Sequence, residues 1–459
     1  LIRDWADAVY ADRHRTHDYV ELLSGSLEAA RRSLQDTPKK LAVLAKAGVV
    51  DAGAKGFVDF LEGVVHFIRK GDLKSVPVVE DPPPAPAFTV HRHSGPPRHR
   101  YCSEALLTGQ GLAIDRIRDL VQEFGDSAIV AGSDELVRIH VHADDPAGLF
   151  ARIREHGSVA QIKVDDMRRQ QEAAQAPKAR IALVVDSACD LPAEVFDRHQ
   201  IHLLPFQVSF GTDLFLDKLT ITPDQFYDLF ETESELPRSS QPSAAGVEAL
   251  FAFLGSHYES IIVLTLSEKM SGLYSACRVA TEKEPGLKIA IVNSRGLSAQ
   301  IGLVALRAAE AIEAGMSHED VTGLCEEWVA KSAIFVDVTD IRHMVRSGRL
   351  GRMKGLLANT LKLKPIVSID REGRGTTAGK SFTRDGNMKK IVRKLRKIAS
   401  ERPIHAYAIV HAKDPERAET YAARLTEALG RPPEFVMSAS PVIGVHVGPG
   451  LVAVALSCE

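Results

Sequence analysis

The sequence predicts an α/β protein of several domains: a C-terminal α/β module, a middle α+β domain of the ferredoxin-like type, and an N-terminal helical fragment. Three observations lead to this fold class. The chain has 459 residues, more than one compact core normally holds. Short apolar strands alternate with helices from residue 181 to the C-terminus, and residues 101–168 follow a different, interleaved order. Residues 1–75 have the spacing of amphipathic helices.

The N-terminal fragment is predicted to be helical because apolar residues recur three or four positions apart, as at Val20, Leu23 and Leu27. Residues 76–100 have the sequence VPVVEDPPPAPAFTVHRHSGPPRHR. Its prolines favour extended conformations, and its few apolar residues could not form a core. We therefore expect a linker there.

Residues 101–170 are predicted to form the middle domain. The order is strand (RYCSEALL), helix (LAIDRIRDLVQEF), two strands around the turn SD, helix (PAGLFARIREHG) and strand (VAQIKVDD). This is the split βαβ pattern of ferredoxin-like domains. The polar segment 171–180, which contains Pro177, is predicted to be a second linker.

Residues 181–459 are predicted to form an α/β module with a parallel sheet covered on both faces. The strands IALVVD, IIVLTL, KIAIVNS, HAYAIVHA and LVAVALS are almost entirely apolar, and helical stretches separate them. Ligands of open parallel sheets bind beyond the carboxyl ends of the strands. The residues that follow each strand are therefore the first candidates for a binding site.

Composition excludes several classes of protein. Lys and Arg total 57 against 60 Asp and Glu, so the formal charge of −3 gives no field that would attract nucleic acid. No apolar run reaches the roughly 18 residues of a membrane helix, and the N-terminus lacks a signal peptide, so we expect a cytoplasmic protein. Five scattered cysteines without a CxxC pair fit a reducing compartment. Because the chain begins with Leu1 rather than methionine, we expect further sequence upstream.

Ser271 and Gly272 are candidates for binding an anion. They follow the strand IIVLTL and begin a helix, whose first N–H groups and partial positive charge favour a carboxylate or phosphate. The alternative is that Ser271 only caps its helix, which serine does often.

Two further groups of polar residues follow predicted strands or precede helices. Ser239 and Ser240 come before Ser243, which has the position of a helix cap. His446 lies in IGVHVGPG, where glycines permit close approach of the backbone to a ligand. A single histidine of this kind is more often structural, so both interpretations of His446 stay open.

The segments that contain these residues resemble those of the DegV family. The matching segments, in family order, are VVDSACDLP, SSQPS, SGLYSA, RSGRL and IGVHVGPG. The resemblance covers residues 181–459 and implies a two-lobed α/β module that buries a long-chain fatty acid in a tunnel. It implies that Ser239, Ser271 and His446 bind the carboxylate, and that Arg349 lies near the head group or a kinase-facing surface. Leu273 departs from the family pattern, which has threonine there.

The upstream sequence resembles the kinase subunit of the same fatty-acid kinase system. Residues 34–63 resemble the end of its dihydroxyacetone-kinase-like ATP-binding domain, and residues 101–168 resemble its middle domain. The aspartate-rich segment and glycine-rich loop that hold Mg²⁺ and ATP do not occur in residues 1–70. We therefore expect no catalysis by this chain alone, and expect ATP and Mg²⁺ only through a kinase domain upstream or in trans.

The middle-domain resemblance also implies a zinc site at Cys102, His140 and His142. The two histidines lie two positions apart on a strand and so face the same side, and a thiolate with two imidazoles is a good zinc set. The alternative is an exposed or core histidine pair without a metal.

The leading hypothesis is a fatty-acid-binding protein that presents its carboxylate to a kinase domain. One alternative is that the full product is a complete ATP-dependent kinase for a fatty acid or a dihydroxyacetone-like substrate. The other is a regulatory scaffold with a vestigial lipid site. The basic stretch 389–397 is predicted to be a solvated helix face, or else a docking surface for an acidic partner or for membrane phosphates in a transient contact. A homodimer is a further expectation.

Overall fold

The computed structural model of the chain describes residues 1–16, 18–40, 44–45, 49–70, 97–349 and 363–459. The chain divides into two compact units, Leu1–Pro84 and Ala85–Glu459, and each is described separately. The expected linker at 76–100 lies outside the described residues except for its last four positions. Among the described residues, no helix is both long enough and apolar enough to cross a bilayer.

The N-terminal unit is helical, as its apolar spacing predicts. Its described helices are α1 (Ile2–Asp12), α2 (Tyr19–Gln35), α3 (Thr37–Lys40) and α4 (Ala52–Lys70). The Asp18 carboxylate caps α2 by accepting the N–H of Val20. Helices α2 and α4 bury their apolar faces against each other in a small core that includes Leu27, Leu34 and Leu61.

The middle domain has the predicted ferredoxin-like arrangement. Its elements are β1 (Tyr101–Thr108), α5 (Ile114–Phe124), β2 (Gly125–Gly132), β3 (Leu136–Ala143), α6 (Pro146–Ile153) and β4 (Ser158–Asp166). The strands form an antiparallel sheet in the order β2-β3-β1-β4, and Leu107, Ile117 and Phe150 lie in the core beneath it. Part of the expected linker 171–180 is helical instead, because α7 (Met167–Gln175) continues from β4 and buries Ala173 in the core of the C-terminal module.

The first lobe of the C-terminal module contains the predicted parallel sheet. Its strands are β5 (Ile181–Asp186), β6 (His202–Leu204), β10 (Ser260–Thr265) and β11 (Lys288–Asn293), in the order β11-β10-β5-β6. Its helices are α8 (Ala193–Arg198), α10 (Ala244–Gly255), α11 (Leu273–Thr281), α12 (Ala299–Glu313) and α13 (His318–Ala330). Every residue of β10 is buried, which is why this strand is almost entirely apolar.

The second lobe corrects the prediction of one parallel sheet. Its strands are β12 (Ser332–Asp337), β13 (Lys364–Ile369), β14 (Gly375–Ser381), β15 (Ile404–Ala412), β16 (Val436–Ser438) and β17 (Leu451–Cys458). Only β15 and β16 pair in parallel, and the other neighbours in the order β14-β13-β12-β17-β15-β16 are antiparallel. The central strands β12, β15 and β17 are apolar on both sides because α12 packs between the lobes, while α15 (Arg384–Glu401) and α16 (Pro415–Leu429) cover the outer face.

A small antiparallel sheet and three helices complete the module. The sheet consists of β7 (Gln207–Phe210), β8 (Asp213–Leu216) and β9 (Arg238–Ser240), in the order β8-β7-β9. The remaining helices are α9 (Pro223–Thr232), α14 (Arg342–Arg346) and α17 (Pro441–Val447). Strand β8 lies beside β4 of the middle domain, where Arg154 forms ion pairs with Asp213 and Glu233. The middle domain and the module therefore meet through direct contacts.

Candidate functional site

A cavity of about 430 Å³ lies between the two lobes of the C-terminal module. We call it the interlobe cavity. The first lobe and its connections contribute apolar side chains such as Phe206, Leu266 and Leu297 to its wall, and the second-lobe strands contribute Val367 and Val410 among others. An apolar wall of this kind suits a hydrocarbon ligand.

The six sequence-predicted residues of the module all line this cavity; they are Ser239, Ser240, Ser271, Gly272, Arg349 and His446. The Oγ of Ser239 lies 2.9 Å from Nε2 of His446, although the two residues are 207 positions apart in the chain. Strand β9 positions Ser239 opposite Val208 of β7. Helix α17 positions His446 in its last turn, where the sequence analysis predicted no helix.

His446 is uncharged at neutral pH. Burial lowers its pKa to about 4, and the positive charge of Arg349 contributes to that lowering. Its Nδ1 is buried and has no hydrogen-bond partner within the described part of the chain. The side chain therefore offers the cavity an imidazole rather than an imidazolium.

Ser271 and Gly272 form the entry to helix α11. The Oγ of Ser271 accepts the N–H of Leu273 at 3.2 Å, so the capping alternative describes part of what this hydroxyl does. A Cβ on Gly272 would lie 2.8 Å from Oε1 of Gln241, so the end of the Gln241 side chain lies close to the Gly272 backbone. Gln241 also lines the cavity; it was not among the predicted site residues, although it follows Ser239 and Ser240 directly.

The remaining predicted residues lie toward the exposed side of the cavity. Ser240 donates its hydroxyl to Oε1 of Gln207 at 3.0 Å. The exposed Arg349 donates from Nη1 to the backbone oxygen of Ser347 at 2.5 Å. Arg349 is followed by residues outside the described ranges. The fixed positive charge is thus exposed, whereas Ser239, Ser271 and His446 are partly buried.

Asp186 supports the cavity from the core of the first lobe. Its carboxylate accepts the N–H groups of Leu266 at 2.6 Å and Ala188 at 3.0 Å, and both of these residues line the cavity. Burial raises the pKa of Asp186 to about 7, against the lowering effect of these hydrogen bonds. Asp186 is the last residue of the strand IALVVD, and that position at the strand end was the sequence signal for it.

The middle domain brings Cys102, His140 and His142 together. One ligand atom from each lies within 4.8 Å of the other two, and Sγ of Cys102 is 3.8 Å from Nδ1 of His140. Ligands of a tetrahedral zinc with ordinary bond lengths lie roughly 3.5 Å apart, so the three residues fit the ion. The Glu104 carboxylate lies 3.4 Å from Nδ1 of His140. Burial raises the pKa of Cys102 to about 12, so the thiol is protonated at neutral pH unless a cation is bound.

Comparison with known proteins matches each part of the chain to a family. Residues 180–459 match the DegV family, residues 98–174 match the FakA-like middle domain of fatty acid kinase, and residues 1–66 match the DAK2 domain. Protein DegV of Bacillus subtilis is 30% identical over 275 residues, which cover 60% of this chain and 98% of that protein. A DegV domain-containing protein of Clostridium acetobutylicum is 26% identical over 278 residues, again 60% of this chain and 98% of that protein.

Solved structures agree with the DegV match. The crystal structure of Bacillus subtilis DegV, described as a fatty acid binding protein, has a TM-score of 0.56 and 30% identity, and the match covers 61% of this chain and all of that one. The structure of a fatty-acid-binding DegV family protein from Thermus thermophilus also has a TM-score of 0.56, with 26% identity and the same coverage. The family match spans more than half of the sequence, and its signature residues surround one cavity. This chain therefore belongs to the DegV family, with its DegV domain joined to a kinase-subunit-like middle domain and a DAK2 segment.

Proposed function

We propose that this chain binds a long-chain fatty acid in the interlobe cavity and presents its carboxylate for phosphorylation. In this proposal the carboxylate accepts hydrogen bonds from Ser239, Ser271 and His446, and the acyl chain lies against the apolar wall between the lobes. A kinase domain upstream in the full product, or in a second chain, would form the acyl phosphate for phospholipid synthesis.

The observation that carries this proposal is the position of the three side chains around one apolar cavity. They come from β9, from the entry to α11 and from α17, which are far apart in the chain. Buried polar atoms almost always have a hydrogen-bond partner. The unpartnered Nδ1 of His446 therefore indicates that the site is incomplete without a ligand or water.

The energetics of such a ligand favour burial of the chain and require donors for the acid. Each buried methylene contributes about 0.8 kcal/mol, so a chain of roughly 16 carbons contributes on the order of 12 kcal/mol before the costs of binding. A buried carboxylate without hydrogen bonds would be strongly destabilised. Hydroxyl and imidazole groups supply those bonds without a permanent counter-charge, which leaves the carboxylate nucleophilic toward a phosphoryl donor.

Gly272, Ser240 and Arg349 would act around the head group rather than hold it. Gly272 keeps the backbone close to the Gln241 side chain. Arg349 is exposed, as a residue that meets a kinase domain must be. Its charge lies near enough to lower the pKa of His446 and would attract an anionic head group or phosphate.

A second candidate function rests on the DAK2 match at residues 1–66. That match supports a full product that is itself an ATP-dependent kinase, for a fatty acid or a dihydroxyacetone-like substrate. Assays of the full-length protein with both substrates identify the one that it phosphorylates. Formation of acyl phosphate would indicate a fatty-acid kinase, and phosphorylation of dihydroxyacetone would indicate a dihydroxyacetone kinase.

The fatty-acid proposal is tested by titrating the delipidated chain with palmitate. We expect His446→Ala and Ser271→Ala each to weaken binding about 5- to 100-fold, because each leaves a buried carboxylate with one donor fewer. Ser243→Ala is the matched control, since its hydroxyl caps α10 through the N–H of Gly246 and does not line the interlobe cavity. Unchanged affinity in the first two variants would favour the scaffold alternative with a vestigial site.

We further propose that the middle domain holds zinc through Cys102, His140 and His142. We expect about one zinc ion per chain by elemental analysis of the wild type and little in Cys102→Ser, because the thiolate is the strongest ligand of the set. Cys325→Ser, at a buried cysteine of α13, serves as the control and should keep its zinc. Equal metal content in the wild type and Cys102→Ser would refute the assignment.

A further inference from the structure

A second cavity, of about 590 Å³, lies between the middle domain and the first lobe. We call it the interdomain cavity. Its middle-domain wall includes Ile162 and Val164, and its module wall includes Leu191, Leu250 and Phe253. None of its lining residues lines the interlobe cavity. It exists only because this chain joins the two domains.

At several places, residues that are adjacent in the chain line different cavities. Ala439 lines the interlobe cavity and Ser440 lines the interdomain cavity. Likewise, Gln241 lines the interlobe cavity and Pro242 lines the interdomain cavity. Phe206 faces the interlobe cavity, while Pro205 before it faces the other. A molecule in the interdomain cavity would therefore occupy a site of its own, adjacent to the first.

The arginines that line the interdomain cavity are already paired. Arg100 forms ion pairs with Asp166 at 2.7 Å and with Asp197 at 2.8 Å. Arg169, of which only 6% is exposed, forms an ion pair with the same Asp197 at 2.8 Å. These contacts hold the middle domain on α8 and leave neither guanidinium without a carboxylate.

The lysines are paired as well, and the histidine is neutral. Nζ of Lys163 lies 2.7 Å from the Asp165 carboxylate, and Nζ of Lys218 lies 3.7 Å from that of Asp190. His202 contacts the hydroxyl of Tyr258 at 3.1 Å, and burial lowers its pKa to about 3. An acid entering this cavity would find, among the described lining residues, no cation that lacks a partner.

Two neutral polar groups, in contrast, lack a partner. Nε2 of Gln170, on α7, and Oγ of Ser440, which precedes α17, are both buried without a hydrogen bond within the described part of the chain. Gln170 is 7% exposed and Ser440 is 1% exposed, and both line the interdomain cavity. Such groups are normally satisfied, so they mark the position of a ligand group that accepts a hydrogen bond.

We propose that the interdomain cavity binds an uncharged lipid, with its hydrocarbon chain against the apolar walls and an ester or hydroxyl oxygen at Gln170 and Ser440. The apolar lining supplies affinity for the chain, and the paired charges select against a carboxylate. Because a fatty acid and its methyl ester differ chiefly in that charge, they are the natural pair of probes.

The test measures binding of methyl decanoate and of decanoate to the whole chain, after the interlobe cavity has been saturated with palmitate. We expect one ester molecule per chain and at least tenfold weaker binding of the acid. Ala245→Trp should abolish ester binding, because Ala245 is exposed and lines the cavity. Ala244→Trp, at the exposed neighbour in the same helical turn that does not line it, should leave ester binding unchanged.

Gln170→Leu tests the hydrogen bond and should weaken ester binding about 5- to 10-fold while the chain still folds, since the substitution nearly keeps the side-chain volume. Ester binding that is absent, or equal in the wild type and Ala245→Trp, would overturn the site. Decanoate binding as tightly as the ester, or an unchanged ester affinity in Gln170→Leu, would overturn the assigned ligand class. The palmitate affinity of the same samples reports on the interlobe cavity separately.

Discussion

Neutral side chains dominate the partly buried polar lining of the interlobe cavity. Ser239 and His446 contact each other, and burial keeps the imidazole uncharged. The fixed positive charge of Arg349, in contrast, is exposed. In the proposed function, this site would bind an acid through hydrogen bonds, so the acid could be released or modified without the breaking of a buried ion pair.

The lowered pKa of His446 predicts a pH dependence of stability. Between pH 6.5 and about 4 the imidazole binds a proton in the unfolded chain but not in the folded one, so the free energy of unfolding falls as the pH falls through this window. We expect delipidated wild type to lose about 1 to 2 kcal/mol more than His446→Gln between pH 7 and pH 5. Urea unfolding at both pH values measures this difference, and parallel losses in the two proteins would contradict it.

Six residues that the sequence and its resemblance singled out as binding residues line the cavity, but the sequence did not show how they contact each other. Ser239, Ser271 and His446 belong to separate segments, and spacing along the chain cannot place a hydroxyl 2.9 Å from an imidazole 207 residues away. Gln241 was missed because its side chain reaches the site through a tertiary contact with Gly272, and a sequence does not show such contacts. Asp186 could be singled out because it ends a predicted strand, but its hydrogen bonds to backbone N–H groups depend on the fold.

Helices α9 and α17 connect the middle domain to the site. Nε2 of Gln225, on α9, donates to the backbone oxygen of Ala147 in the middle domain. On the same helix, Phe226 and Tyr227 pack against Gly444 of α17, which carries His446 two residues later. The position of His446 therefore depends on a glycine that lets two helices approach closely.

Gly444→Ala tests this dependence. The added Cβ would lie 2.4 Å from Cε1 of Phe226 and 3.0 Å from the hydroxyl of Tyr227, and both side chains are almost fully buried. We expect a loss of about 1 to 3 kcal/mol in the free energy of unfolding. We also expect weaker palmitate binding, since α17 must shift.

Gly323→Ala is the control for the glycine experiment. Gly323 is exposed on α13, and nothing lies within 4 Å of its added Cβ. Because alanine is the better helix former, we expect this variant to gain about 0.5 to 1 kcal/mol and to bind palmitate normally. Urea unfolding that shows the same sign of change in both variants would contradict the packing argument.

The second-lobe sheet shows that an apolar strand pattern predicts burial but not the direction of strand pairing. HAYAIVHA and LVAVALS are apolar along almost their whole length, which predicts burial on both faces, and both faces are buried. The direction of pairing does not follow from that pattern, because antiparallel strands between two layers of helices are equally apolar. The parallel prediction was therefore correct for the first lobe and wrong for most of the second.

In the molecule as a whole, the middle domain and the C-terminal module form one compact unit. Three arginines of the middle domain and α7 (Arg100, Arg168 and Arg169) form ion pairs with Asp197, and Arg154 pairs with Asp213 and Glu233. The sequence predicted both folds but contained no sign of this interface or of the interdomain cavity. Isolated charged residues in a sequence do not reveal their partners in another domain.

The most direct test of the proposed function is native mass spectrometry of the purified chain, compared with the same sample after denaturation. We expect a native mass higher than that of the polypeptide by one fatty acid, in addition to any bound zinc. Denaturation should release that acid, and isotopically labelled palmitate should bind in its place when the delipidated chain is reloaded. A native chain without lipid that also fails to take up labelled palmitate would contradict the central claim that the interlobe cavity is a fatty-acid site.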